Sequence, residues 1–293
     1  MRSLISVLSL AALWQVGTSW AQLAPVNELG ATWGHLHMNA PPELRDKEIK
    51  SWLALGGQLG NNMTEHNRAI VFPGILVLLG QNQDKITGGS EGSIVDHVAF
   101  KVPNLQEHTA RWKASNWGLK EHPSSKPGQE FVTTPSGVKV EIFEDKALKV
   151  PIAFDHVHFY VPESGLKEIE GYYGKMFGAK PVTGEPHTYS LPGGKLVFSR
   201  ATTPTVPPIG RALDHIGFEI AGSHKGLEAF SKRLEAAGVK FRSTYNRSEL
   251  GNARPLDPFG VMTELTHGLN GYANFKDIEP DIFPCEKRSS TCW

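Results

Sequence analysis

Among the 12 histidines of this 293-residue chain, four recur in one setting. His35, His97, His156 and His215 each follow Gly or Asp and open a run of alternating apolar residues. The four copies are Gly34-His35-Leu36-His37-Met38, Asp96-His97-Val98-Ala99-Phe100, Asp155-His156-Val157-His158-Phe159 and Asp214-His215-Ile216-Gly217-Phe218. The intervals between these histidines are 62, 59 and 59 residues. A lone histidine on an apolar strand is usually a packed core residue, but four at a nearly fixed period call for a shared role. Imidazole ligates metals and carries protons near neutral pH. A carboxylate signature accompanies it: Pro135-Ser136-Gly137-Val138-Lys139-Val140-Glu141 and Pro258-Phe259-Gly260-Val261-Met262-Thr263-Glu264 both place Glu four residues after Gly. The same offset from Gly74 and Gly194 reaches Leu78 and Phe198, so the acid is confined to the second and fourth copies.

These side chains need elements to position them. The alternation after each histidine predicts a strand, and an amphipathic stretch follows each time, at 42–55, 104–117, 164–177 and 224–237. Ser164 and Ser223 are expected N-caps, and Gly178 and Gly238 expected C-caps. Turn signals such as Pro135-Ser136-Gly137 and Pro192-Gly193-Gly194 then divide short closing strands. The repeating unit is therefore βαβββ, about 60 residues long, four times over.

On these residues, the histidines of the first strands and Glu141 and Glu264 of the last, the chain resembles the vicinal oxygen chelate superfamily over roughly 32–269. That superfamily includes glyoxalase I, bleomycin-resistance proteins and type I extradiol dioxygenases. The resemblance implies an α+β fold in which modules pair into cupped, barrel-like eight-stranded mixed-sheet domains. Two such domains are expected, 30–147 (modules 30–82 and 93–147) and 150–270 (modules 150–202 and 211–270), with a tail at 271–293. It also implies one divalent metal per active domain, held by His35, His97 and Glu141 in the first and by His156, His215 and Glu264 in the second, the preferred site. Two imidazoles and one carboxylate leave coordination positions open and suit Fe2+ or Mn2+, with Zn2+, Ni2+ or Co2+ as alternatives. The expected activity is that of a dioxygenase, lyase or isomerase on a small substrate that chelates through vicinal oxygens. The alternative is a non-catalytic protein that sequesters a small molecule, as bleomycin-resistance proteins do.

His37 and His158 lie two residues beyond the first histidines, on the same strand face. They are candidates for further ligands, for proton transfer or for support of the ligands, the simpler reading being a hydrogen-bonded pocket residue. Two departures from the family stand out. The fourth ligand position of glyoxalase I corresponds here to Leu78 or Phe198. The stretches 127–134 and 252–258 lack the His and Tyr that extradiol enzymes carry upstream of their Glu.

The chain ends point to export. Arg2, the apolar stretch 4–14 and small Ser19 and Ala21 read as a signal peptide over 1–21. Beyond it no window approaches the length of a membrane span, so no membrane partner is expected after cleavage. In an oxidising compartment Cys285 and Cys292 are expected to form a disulfide. With 30 basic and 30 acidic side chains and no basic run, nucleic acid is excluded as a partner, and a homo-oligomer is compatible with the composition. Gly88-Gly89-Ser90-Glu91-Gly92 matches a nucleophile elbow in letters alone, because a strand and not a helix is predicted after it.

Overall fold

Each repeat folds as βαβββ in the computed structural model, which describes residues 23–271 except 65–66, 81–84, 126 and 248–250. The expected signal segment 1–21 and the pair Cys285 and Cys292 lie outside the described residues. Module one comprises β1 (Ala31–Asn39), α1 (Arg45–Ala54), β2 (Gln58–Thr64), β3 (Asn67–Phe72) and β4 (Ile75–Gly80). Module two comprises β5 (Val95–Val102), α2 (Leu105–Ser115), β6 (Lys120–Glu121), β7 (Gln129–Thr133) and β8 (Lys139–Glu144). Module three comprises β9 (Ala153–Val161), α3 (Leu166–Phe177), β10 (Lys180–Pro181), β11 (Thr188–Leu191) and β12 (Gly194–Arg200). Module four comprises β13 (Leu213–Ile220), α4 (Ser223–Ala236), β14 (Phe241–Asn246), β15 (Asn252–Pro255) and β16 (Thr263–Thr266).

Local chemistry sets the helix ends. Asn104 caps α2 by accepting from the Glu107 N–H at 3.0 Å. Gly178 ends α3 in the left-handed region, as expected of a C-cap glycine. Ser164 and Ser223 do not cap. A 3-10 turn over Glu163–Gly165 leads into α3, and Ser223 is already the first residue of α4, behind Gly222 at φ +86°.

The strands form two eight-stranded mixed sheets, cupped and not closed into barrels. The module pairing differs from the expected one-with-two and three-with-four. Sheet one runs β14-β15-β16-β13-β1-β4-β3-β2 and joins modules one and four. Sheet two runs β10-β11-β12-β9-β5-β8-β7-β6 and joins modules two and three. At each seam two first strands lie antiparallel, β1 with β13 and β5 with β9. The division into domains 30–147 and 150–270 therefore gives way to two sheets that each draw on both halves of the chain. The short connection between β8 and β9 keeps modules two and three together, and modules one and four close the outer pair around them.

A continuous apolar layer holds the sheets back to back. Trp33 of sheet one meets Phe154 of sheet two at 5.3 Å between ring centroids, and Phe72 meets Phe100 at 4.7 Å. Tyr173 of α3 packs against Phe198 and Phe218, one from each sheet. With the opposite faces committed to this core, strand alternation leaves the histidines on the concave sides.

Candidate metal centres

The seam of sheet one gathers four of the candidate residues. His35 and His37 come from β1, His215 from β13 and Glu264 from β16, and each offers a ligand atom within 4.8 Å of every other. Glu264 Oε2 lies 3.1 Å from His35 Nε2 and 3.0 Å from His215 Nε2. The His35 ring rests over Gly217, where any Cβ would collide with it. His37 stacks on His215 with centroids 4.4 Å apart and planes 12° from parallel. The other oxygen of Glu264 accepts from Arg254 Nε at 3.0 Å.

Sheet two repeats the arrangement. His156 and His158 come from β9, His97 from β5 and Glu141 from β8. The three histidines each offer a nitrogen within 4.8 Å of the others. Glu141 Oε2 lies 3.2 Å from His97 Nε2 and 3.4 Å from His156 Nε2. Gln129 donates to the other carboxylate oxygen. His158 Nε2 is hydrogen-bonded to Ser199 Oγ at 2.9 Å, and its ring stacks on Tyr160. A cavity of about 380 Å³ opens on this group, walled also by Phe131, Lys139 and Val197.

The residue before each first-strand histidine matters, and the sequence reading gave it no role. Asp96, Asp155 and Asp214 bond Nδ1 of the next residue at 2.8, 2.9 and 2.6 Å. Such a carboxylate fixes the tautomer and turns Nε2 toward a shared point. The signal was visible as Asp in three of the four copies. The fourth has Gly34, at a register shift between Trp33 and His35 where a Cβ would crowd Glu219 N and Leu269. His35 Nδ1 is accordingly buried without a hydrogen-bond partner among the described residues.

Electrostatics follow from this packing. Burial works against charge on Glu264, but bonds from His215 and His35 hold it well below the usual carboxylate range. Glu141 is lowered in the same way by His156 and His97. Burial also disfavours charge on His215, yet Asp214 and Glu264 outweigh it and push the imidazole up to about 9. Burial dominates at His37 and His158, which are held down at about 3 and stay neutral.

The expected triads are redistributed. His35, His97 and Glu141 do not come together, nor do His156, His215 and Glu264, because β1 pairs with β13 and β5 with β9. His35 joins His215 and Glu264, and His97 and Glu141 join His156. His37 and His158 enter the two groups, giving three imidazoles and one carboxylate at each. The register also corrects the fourth position in sheet two: Val197, not Phe198, lies opposite His158, while Phe198 is in the core. Leu78 lies opposite His37 as expected.

These donors fit a divalent ion. Metal bonds of about 2.1 Å space the ligand atoms about 3.0 Å apart along an octahedral edge and about 3.4 Å in a tetrahedron. The separations of 3.0, 3.1, 3.2 and 3.4 Å lie in that range. Among the described residues the buried His156 Nε2 moreover meets no hydrogen-bond criterion, its 3.4 Å approach to Glu141 being an ion-pair distance, as for a nitrogen awaiting a cation.

The sequence profile of the glyoxalase/bleomycin resistance protein/dioxygenase superfamily matches residues 153–265. No curated protein matches the chain. Glyoxalase I from Zea mays superposes with a TM-score of 0.59 at 15% identity, over 81% of this chain and 92% of the maize chain. A putative dioxygenase from Bacillus subtilis subsp. subtilis str. 168 superposes with a TM-score of 0.55 at 14% identity, over 91% and 95%. At such identities the likeness is one of fold.

Proposed function

We propose that the chain is an exported, metal-dependent enzyme of the glyoxalase/bleomycin resistance protein/dioxygenase superfamily, whose sequence profile matches residues 153–265. It acts on a small substrate that presents two vicinal oxygens, as a dioxygenase, lyase or isomerase. The observation that carries this reading is the convergence, twice, of two Nε2 atoms on one carboxylate oxygen.

His97, His156 and Glu141 would hold the ion at the second centre, and His35, His215 and Glu264 at the first. A divalent ion bound there supplies Lewis acidity or, as iron, redox chemistry. The remaining work falls to the chain. Asp96 and Asp155 keep the two ring nitrogens aimed, and Gln129 keeps the carboxylate turned. His158, neutral and held by Ser199, is the imidazole base placed to hydrogen-bond the substrate. Phe131 and Val197 give the cavity apolar walls that limit water. The second centre is the one we assign to turnover, since this cavity and this base meet there.

Elemental analysis of protein purified without chelator tests the reading, with about two divalent ions per chain expected. Removing them should lower the melting temperature, because a ligand of the native state stabilises it by mass action. Less than ~0.2 ion per chain would instead favour the non-catalytic small-molecule binder.

A further inference from the structure

Resting on that reading of the second centre, we infer that its substrate carries an acidic group, a carboxylate beside the vicinal oxygens, and that Lys139 and Tyr160 recognise it. Lys139 lies opposite His97 in the register of β5 and β8, two residues before Glu141. Its side chain is mostly buried, with Nζ 5.1 Å from the centre of the Phe131 ring, on the wall of the 380 Å³ cavity. Tyr160 lies on the same wall, half-buried, its ring stacked on His158 at 4.9 Å.

The first centre shows that the fold does not require either residue. Two residues before Glu264 stands Met262, and two residues beyond His37 stands Asn39. There Asp214 is satisfied without a cation, by Gly210 N at 2.6 Å, His215 Nδ1 at 2.6 Å and Asn39 Nδ2 at 3.1 Å. Asp96, its counterpart, receives Gly92 N at 3.3 Å and His97 Nδ1 at 2.8 Å, with Lys139 Nζ further off at 3.4 Å. Lys139 also reaches Glu91 at 3.3 Å, and Glu91 is largely exposed. An ammonium has three donors, so two carboxylate partners leave one for the cavity. Exchanging Asn39 and Met262 for Tyr160 and Lys139 thus places a phenol and an ammonium beside the candidate metal donors. Together they suit a carboxylate, which accepts from both.

The test is calorimetric binding to zinc-loaded full-length protein of 3,4-dihydroxybenzoate and of 4-methylcatechol, the same chelating pair with a neutral methyl for the carboxylate. His215→Ala, run in parallel, separates binding at the first centre from binding at the second. A charge-assisted bond predicts that the acid binds about tenfold tighter or better. Lys139→Met, which installs the residue the twin centre carries, should abolish that preference, as should Lys139→Gln, while Tyr160→Phe should reduce it. Equal affinity for the two compounds in the wild type, or a preference that survives both Lys139 variants, would overturn the inference alone. Failure of the protein to take up zinc would sink the metal-site reading and the inference with it, whereas zinc-loaded protein that binds neither compound would overturn the inference alone.

Discussion

At the seam of sheet one His35 lies over a glycine with no acceptor for its Nδ1 among the described residues, and Arg254 steadies the carboxylate. At the seam of sheet two His156 lies beside Ala99, has Asp155 for its Nδ1, and Gln129 takes the place of the arginine. Around the first centre Leu76 and Leu78 lie opposite the two histidines and pack with Leu23 and Leu269, one from each end of the described chain. Around the second the corresponding positions are Lys195 and Val197, and the wall carries Lys139 and Tyr160. The two centres share their donor types and differ in what touches them. The comparison teaches that donor identity follows from the module, whereas solvent access, ring orientation and substrate contacts follow from the neighbours and can diverge freely.

The most severe way to break this comparison is to remove one histidine from each centre. Under the proposed function His97→Ala and His215→Ala should each lose about one metal ion per chain and leave the other in place. The cross-pairing makes a sharper demand: His35→Ala with His215→Ala should lose no more than either alone, whereas His35→Ala with His97→Ala should lose both ions. The reverse pattern would restore the pairing of module one with module two. Catalysis, assayed separately, should disappear only with His97.

Next in size is Gly217→Ala, which drives a methyl into the His35 ring. It should cost about 1–3 kcal/mol in denaturant unfolding and empty the first centre. The second centre has Ala99 at that place, so an unperturbed Gly217→Ala protein would mean that the two rings are held alike.

Replacing Asp96, Asp155 or Asp214 by Asn tests the supporting bonds, with metal affinity at the affected centre falling about 10–100-fold by competition with a chromophoric chelator. A pH effect should be readable at the first centre. The metal-free His215 is raised to about 9, so at neutral pH an ion must displace its proton. Affinity at the first centre, measured in His97→Ala, should therefore rise about tenfold per pH unit toward 9. A flat profile between pH 6 and 8 would count against that charge state.

The smallest effect concerns Glu219, the sheet-one counterpart of Lys101. Burial pushes it up to about 7 from 4.5, while Leu269 N–H and Thr266 Oγ1 donate to it. The fold favours its protonated form, so its stabilising contribution is complete below about pH 4.5 and is lost as pH rises through 7. Glu219→Gln should gain in melting temperature relative to wild type across that window and hold a constant difference above it. A difference that does not vary with pH would show that Glu219 does not titrate there.

The sequence by itself determined the module and the faces. Alternation around His35, His97, His156 and His215 placed every one of these rings on a concave side, because side chains of a strand point to opposite faces at a period of two. The same logic put His37 and His158 beside them, the family resemblance added Glu141 and Glu264, and the amphipathic stretch 164–177 yielded α3 with Gly178 at its end. Which modules share a sheet was decided only in three dimensions. Each first strand offers much the same apolar edge to any partner, and strand pairing is a non-local contact that no local pattern encodes. Loop-closure entropy varies too slowly with length for the spacings of 62, 59 and 59 to rank the alternatives. Once β5 met β9 and β1 met β13, the ligand sets, the Gly217 cradle and the cavity beside Lys139 and Tyr160 followed from packing.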